Sequence, residues 1–149
     1  MFSRLLLFIT LVSFTSNDNE TADSVLQKIL ELEEVESYFS RMPRFNSSVE
    51  NKIMLIKNEE IDLSQQHTVN KTPLVVTDKE EVTNNNLVAY LELKEYIHDD
   101  NKVSIKLNLQ NAVLFYEENK LITIEAQLVR SRNEWRIKNY KLREVKISD

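Results

Sequence analysis

One short segment holds all three residue types of a serine-hydrolase triad, in the order Asp62-Leu-Ser64-Gln-Gln-His67. A triad needs a nucleophile, a base and an orienting acid within mutual hydrogen-bond reach on a rigid scaffold. Six consecutive residues of a polar loop rarely supply such a scaffold. A G-x-S-x-G elbow is ruled out because the chain has no glycine. The segment is therefore predicted to be an ordinary loop.

A second segment, His98-Asp99-Asp100, contains residue types that bind metals. Zinc sites want three or four ligands in tetrahedral geometry, and the chain has one further imidazole, at His67. Asp and Asn are favoured in turns, so Asp99, Asp100 and the following Asn101 are better explained as a turn between two strands. We predict that neither histidine is a catalytic or metal residue, and that the protein uses no metal and no cofactor.

Two other features could contribute to a site. Glu36 falls inside the apolar stripe of a predicted helix, where burial would raise the pKa of its carboxyl and suit acid–base chemistry. A helix break near Leu32 would instead turn Glu36 towards water, and we prefer that interpretation. Aromatic residues on predicted strands could line a pocket, but such residues are more often core or cross-strand pairs. They are Tyr90, Tyr96, Phe115, Tyr116, Trp135 and Tyr140.

Charge is divided along the chain, whose formal net charge is −5. Residues 17–40 hold seven acidic residues and one lysine, whereas residues 130–147 hold seven basic residues and two glutamates. These could be solvated faces, or faces that pair with each other. We predict that the basic strand is a recognition surface for an anionic ligand, an acidic partner or a second copy. Its residues are Arg130, Arg132, Arg136, Lys138, Lys141 and Arg143.

The amino-acid composition excludes several classes of protein and of functional site. The 149 residues fit one domain, and 42% hydrophobic with 29% charged residues is ordinary for a globular protein. The absence of cysteine excludes disulfides, thiolate zinc sites and cysteine nucleophiles. The absence of glycine excludes glycine-rich phosphate loops and leaves left-handed turn positions to Asn and Asp. Net negative charge together with export argues against nucleic-acid binding.

The first sixteen residues are predicted to be a signal peptide. Arg4 precedes an apolar run of ten residues, 5–14, and polar residues follow at once. A membrane span needs about twenty apolar residues, so the run fits a cleaved signal better than an uncleaved anchor or a buried first element. We expect cleavage between residues 13 and 19, export to the periplasm or the exterior, and no transmembrane span in the mature domain, residues 17–149.

After the signal, periodicity predicts a helical segment over residues 20–41. Val25, Ile29 and Leu32 share one face, and the drift of this stripe predicts a break near Leu32–Glu33. Thr21 and Asp23 are candidate N-caps.

Five or six antiparallel strands are predicted to follow, joined by short turns. The clearest is 103–109, in which Val103, Ile105, Leu107 and Leu109 alternate with polar residues. Other strands are predicted over 53–57, 74–77, 87–96 and 122–128 and from Trp135 onwards. A bulge at Gln110–Asn111 is predicted to continue the 103–109 strand through 112–116, and Arg132-Asn133 should form a tight hairpin turn. The helix is the available cover for the apolar sheet face, which makes the fold α+β.

The closing hairpin carries a family resemblance. Residues 128–137, Leu-Val-Arg-Ser-Arg-Asn-Glu-Trp-Arg-Ile, resemble the final hairpin of the nuclear transport factor two-like proteins, a turn followed by Trp-x-Ile. The resemblance covers the C-terminal part alone, and the family places more helices before its sheet than this chain offers. It implies a cystatin-like cone, a helix packed in a strongly curved sheet, that holds a small ligand or pairs with another surface. It supplies no catalytic residue.

These observations predict an exported noncatalytic domain that binds a protein or a small ligand, with a homodimer through the sheet as one form. The alternative is a small hydrolase or isomerase whose site lies inside the cone. An enzyme of this fold should show a concave pocket where at least two titratable side chains converge. A binding module should show an apolar or aromatic surface without them.

Overall fold

The computed structural model describes residues 16–40, 53–58, 61, 63, 66–69, 71–84, 90–111 and 113–147. The predicted signal segment up to residue 15 lies outside these ranges, as do Asp62, Ser64, and residues 87–89 of a predicted strand. In the described ranges, no helix combines the length and the apolar character that crossing a membrane requires.

Two helices open the described chain, α1 (Ser16–Leu30) and α2 (Glu33–Ser40). The break between them lies where the drift of the apolar stripe predicted it. Helix α1 begins earlier than predicted, so Thr21 and Asp23 are not N-caps but buried residues within the helix. The polar first turn carries no apolar residue, and periodicity therefore gave no signal for it.

Within the described ranges, seven strands and a third helix follow. Their bounds are β1 (Ile53–Ile56), β2 (Thr68–Val69), β3 (Thr72–Thr77), α3 (Lys79–Asn84), β4 (Tyr90–Asp99), β5 (Lys102–Gln110), β6 (Lys120–Ser131) and β7 (Glu134–Lys146). The seven strands form one strongly curled sheet, a half-barrel, in the order β2-β3-β1-β4-β5-β6-β7. The α+β class is confirmed, but the predicted count of five or six strands is wrong.

The sheet is mixed rather than wholly antiparallel. Strand β1 pairs in parallel with β3 on one side and with β4 on the other, whereas the remaining pairs are antiparallel. Apolar alternation reports which face of a strand is buried and not which neighbour it joins, so it could not reveal these parallel pairs. Strand β2 has two residues, too few to show any alternation.

The core lies between α1 and the inner side of the curled sheet. Val25, Ile29 and Leu30 of α1 belong to one cluster of buried side chains with β5 and β6 residues. Val103, Ile105, Leu107 and Leu109 are all buried in that cluster, as the alternation predicted. Helix α1 also contacts β2 and β7, the two outermost strands, and so spans the opening of the half-barrel.

The predicted continuation of β5 through 112–116 is wrong. Residues Val113–Glu117 form a π-helical turn between β5 and β6. The buried Asn111 explains the change: its Oδ1 accepts a hydrogen bond from the Leu114 amide at 2.9 Å, and its Nδ2 donates to the Tyr38 carbonyl at 3.0 Å. Such side-chain bonds to the backbone compete with a strand ladder.

Five of the residues that the structure describes adopt positive φ angles: Lys71, Asp100, Asn119, Arg132 and Asn133. Asn and Asp occupy three of these positions, as a chain without glycine requires, but Lys71 and Arg132 are exceptions. The predicted Arg132-Asn133 hairpin turn is confirmed, with φ angles of 51° and 65°. Positive φ at both central residues is typical of a type I′ turn, whose twist matches that of the flanking strands.

Candidate functional site

The six basic residues predicted as a recognition surface all lie on or beside the β6–β7 hairpin. In register, Arg136 is opposite Val129, Lys141 opposite Glu125, and Arg143 opposite Thr123. These β6 residues alternate with the buried Ala126 and Leu128, so Arg136, Lys141 and Arg143 share the outer face of the sheet. We call these three residues the basic face.

The other three basic residues are placed differently. Lys138 is the extra residue of a bulge, because Ile137 pairs with Leu128 while Asn139 pairs with Gln127. Arg132 lies in the hairpin turn, and Arg130 follows Val129 on the opposite face of β6. All three are exposed. The structure therefore divides the six basic residues among the outer face of β7, the bulge, the turn and the opposite face of β6.

The charges of the basic face are offset in part by neighbouring strands. Arg143 Nη2 lies 3.1 Å from Glu125 Oε2, and Lys106 Nζ lies 3.7 Å from the other oxygen of the same carboxylate. Arg136 is 3.5 Å from Glu134. Lys138 and Lys141 form no ion pair with any residue that the structure describes. The surface thus keeps positive charge available to a partner.

Tyr140 links β7 to the acidic helix α2. Its hydroxyl donates a hydrogen bond to Glu34 Oε1 at 2.8 Å. The bond stabilises the Glu34 carboxylate and so lowers the pKa of Glu34 below its ordinary value of 4.5. The same bond raises the pKa of Tyr140, with the charges of Glu34 and Glu33 adding to the effect. Of the alternatives left open for the acidic and basic segments, contact between the two thus occurs at this point, through a tyrosine.

His67 is buried against α1 rather than exposed in a loop. Its Nε2 lies 2.7 Å from Asp23 Oδ1, and its Nδ1 lies 3.2 Å from Gln27 Oε1. The His67 and Asp23 side chains are 4% and 1% exposed. A catalytic base needs one ring nitrogen directed at a nucleophile or substrate, while the other is held by its orienting partner. Here both nitrogens face side chains of α1, so the geometry is that of a clamp between α1 and the segment before β2.

His98 lies at the end of the β4–β5 hairpin. Asp100 and Asn101 form its turn, as predicted, with a φ angle of 45° at Asp100. His98 Nε2–H donates to the Asp100 carbonyl at 3.1 Å, and the imidazole meets the Trp135 ring edge-on at 5.8 Å between centroids. Across the described ranges, no three His, Asp or Glu side chains gather as a metal site would require.

The aromatic residues do not converge. Phe115 and Tyr116 form an exposed edge-to-face pair on the π-helical turn, and Trp135 is buried in the core beside His98. Tyr140 is occupied with Glu34. Glu36 lies in the first turn of α2, after the helix break. Its amide donates a hydrogen bond to the Leu32 carbonyl at 2.9 Å, and its side chain is half-buried.

A groove of about 740 Å³ lies where β1 and β3 end, and no motif in the sequence indicated it. Strand β4 forms its other wall and passes the end of β1, with Glu92 in register with Ile56. The wall includes three lysines, Lys57, Lys79 and Lys94. A motif search could not find this groove because β1, α3 and β4 supply its residues from separate parts of the chain.

Charged groups in the groove are largely engaged with one another. Glu92 Oε1 lies 3.0 Å from Lys94 Nζ and 4.0 Å from Lys79 Nζ. Asp78 Oδ1 accepts a hydrogen bond from the Glu81 amide at 2.7 Å, and the Thr77 hydroxyl donates to Glu81 Oε2. Next to the groove on β4, burial and the Glu92 charge raise the pKa of Tyr90, which keeps its phenol protonated.

Comparison with known proteins gives no family. No family model matches the chain, and no curated protein matches it. One solved structure, described as the crystal structure of a de novo designed protein with curved beta-sheet, is 12% identical over 83% of this chain and 97% of its own, with a TM-score of 0.36. At that TM-score the likeness assigns neither a shared fold nor a function.

Proposed function

We propose that this chain is an exported, noncatalytic domain that binds an acidic protein surface through the basic face of β7. One observation carries the proposal: Arg136, Lys141 and Arg143 share the outer face of a long edge strand, and Lys138 lies beside them in the bulge. Strand β7 ends the sheet order and pairs with β6 among the described strands. The exposed side chains on its outer face are therefore accessible to a partner.

Electrostatics favours an acidic partner over a neutral one. The chain as a whole is negative, so like-charged proteins are repelled except where they meet this local positive surface. Charge complementarity of that kind directs encounter and sets the register of a complex more than it adds affinity. Val145, which is exposed and opposite Leu121 on the same outer face, adds an apolar contact next to the cations.

The alternative is a hydrolase or isomerase with its site inside the cone, and the described interior brings together one pair of titratable side chains, Asp23 and His67, whose contacts join α1 to the segment before β2. The side chains that face α1 from β5 and β6 are apolar and buried in the core cluster. Titratable side chains do converge in the groove between α3 and β4, but that groove lies at the ends of the strands. Its described carboxylates have partners within the protein, and that arrangement suits binding better than proton transfer.

Export and a cystatin-like cone belong to the same proposal. The apolar run of residues 5–14 supports the signal peptide, and the Trp135-x-Ile137 hairpin supports the cone. Both rest on sequence, and the signal peptide supports a location in the periplasm or outside the cell, where the partner would be a surface or a secreted protein.

The test uses poly-L-glutamate as an acidic polypeptide probe. We expect binding at low ionic strength that weakens sharply with added salt, once the Debye length falls below about 10 Å. An Arg136→Glu, Lys138→Glu variant should bind far more weakly than wild type. The control variant Lys28→Glu, Lys71→Glu makes the same change in net charge at exposed positions on α1 and in the β2–β3 turn, and should bind like wild type.

Two outcomes would contradict binding through the basic face. Equal weakening in both variants, or binding that ignores salt, would show that the basic face is an ordinary solvated edge. Sedimentation of the protein alone identifies the partner as a second copy if self-association is lost in the Arg136→Glu, Lys138→Glu variant and retained in the control. The exposed Glu31, Glu33 and Glu34 would then supply the acidic surface.

A further inference from the structure

The groove beside α3 has the position and the size of a ligand site. It lies outside the carboxyl ends of the parallel strands β1 and β3, the position in which open parallel sheets bind small molecules. Its volume of about 740 Å³ is within the range of ligand pockets, about 300–1,000 Å³. The site is separate from the basic face, because β7 is at the other end of the strand order.

Apolar and cationic groups line the groove together. Ile56, Val76 and Leu93 supply apolar surface, and Val76 is 44% exposed although its side chain is large and hydrophobic. Lys94 is the extra residue of a bulge in β4, because Leu93 pairs with Leu107 while Glu95 pairs with Lys106. Bulges of this kind redirect a side chain, and here the redirected side chain is one of the groove's lysines.

Hydrogen-bond donors outnumber acceptors around Glu92. Lys79 and Lys94 approach the same oxygen, Oε1, although each ammonium carries three N–H donors. The Lys79 contact is long, and the Lys79 side chain is 76% exposed. The other groove carboxylates, Asp78 and Glu81, accept hydrogen bonds from α3 and from Thr77. The groove as a whole holds three lysines and three carboxylates, but between Lys79 and Lys94 two positive charges share the single carboxylate of Glu92, and a second anion would balance them there.

We propose that this groove binds a small organic carboxylate, an anion attached to a short apolar chain. The carboxylate lies between Lys79 and Lys94, where it completes the coordination of both ammonium groups. The apolar chain lies along Val76 and Ile56, which removes their exposed surface from water. A cation of the same shape would meet like charge between Lys79 and Lys94, and an anion without an apolar part would leave the exposed valine uncovered.

The test is a titration of the protein followed by two-dimensional amide NMR, with hexanoate as the probe. We expect hexanoate to shift the amide signals of Ile56, Val76 and Lys94. Hexylamine, the cation of matched length, and inorganic phosphate should bind at least about tenfold more weakly than hexanoate. Equal affinity for hexylamine would contradict the proposed role of the lysine charges. Equal affinity for phosphate would contradict the proposed role of the apolar surface.

Two variants test the residues. Lys79→Gln with Lys94→Gln should weaken hexanoate binding about tenfold, because the ammonium charges are lost while the side chains keep similar length. Lys106→Gln is the matched control, since Lys106 is 42% exposed like Lys94 and is also ion-paired to a glutamate. Its affinity should stay within about twofold of wild type. No hexanoate-induced shift at about 10 mM, or an equal loss in the control, would overturn the proposal.

Discussion

At the scale of single residues, the most informative contact joins Asp23 to His67 across 44 positions of sequence. A buried polar pair is costly unless its hydrogen bonds are made, and here both imidazole nitrogens have partners on α1. The pair therefore fixes the segment before β2 against the helix that fills the half-barrel. The role of His67 follows from its burial and from the direction of both ring nitrogens, and not from its position in the triad-like segment 62–67.

Removal of either member of this pair should destabilise the fold. We expect His67→Ala or Asp23→Ala to lower the free energy of unfolding by about 3 kcal/mol, because the remaining side chain stays buried and loses the hydrogen bond between the two. The double variant should lose less than the sum of the two, with a coupling energy of about 1–3 kcal/mol in urea unfolding. Gln66→Ala, at the exposed neighbouring position, is the control, with a change within about 0.5 kcal/mol. Strictly additive losses would contradict the clamp.

Glu34 and Tyr140 give a prediction about pH. Because the pKa of Glu34 is lowered in the folded state, its contribution to stability is present above the unfolded value of 4.5 and is lost as pH falls through the folded pKa. Tyr140→Phe should return the pKa of Glu34 towards 4.5, as measured by carboxyl NMR titration. The stability difference between wild type and Tyr140→Phe should shrink on acidification through this window. An unchanged Glu34 pKa in the variant would show that the hydrogen bond is absent in solution.

The sequence supports predictions about single residues when the relevant neighbours are close along the chain. The turn at Asp100–Asn101 and the hairpin at Arg132–Asn133 were predictable because local chemistry determines them. The burial of His67 was not, since its partners are on a helix that periodicity alone could not orient towards β2. The groove lysines were missed for the same reason.

At the scale of elements, strand β5 tests the packing of helix against sheet. Leu107 is fully buried in the cluster that includes Val25 and Ile29. Leu107→Ala should cost about 2–5 kcal/mol in urea unfolding, through lost burial and the cavity that remains. Ser104→Ala, on the outer face of the same strand, should change stability by less than about 0.5 kcal/mol. A loss of that small size for Leu107→Ala would mean that β5 does not face the helix.

Prediction of the elements succeeded where alternation was long and failed where another interaction determined the backbone. Strands β5 and β6 and the helix break are clear in the sequence because many apolar residues repeat with one period. Helix α3 has one buried residue, Val82, and was missed. The π-helical turn depends on two side-chain hydrogen bonds of Asn111, and the parallel pairs of β1 depend on which strands meet in three dimensions.

At the scale of the whole molecule, the proposed export leads to a prediction about processing. The apolar run of residues 5–14 is too short to span a bilayer, and a polar segment follows it. Intact-mass measurement of protein recovered outside the cytoplasm should show cleavage between residues 13 and 19. Because α1 begins at Ser16, cleavage in the early part of this window leaves the helix whole. Retention of Met1 in exported protein would contradict a cleaved signal.

The distribution of charge over the whole molecule supports a binding domain. A negative chain carries one outer face on which Arg136, Lys141 and Arg143 gather, while the acidic side chains of α2 lie near the inner side of β7 through Tyr140. The sequence predicted the basic strand, but it could not separate the residues of the face from those of the bulge and the turn. That separation depends on the register between β6 and β7.

The most direct measurement of the central claim is an amide NMR map of the protein with poly-L-glutamate at low salt. Binding through the basic face predicts the largest shifts at Arg136, Lys141 and Arg143 and on the paired residues of β6, with loss of these shifts when salt is added. Shifts confined to α1 or to the groove lysines, or shifts that persist at high salt, would contradict the claim that β7 is the recognition surface.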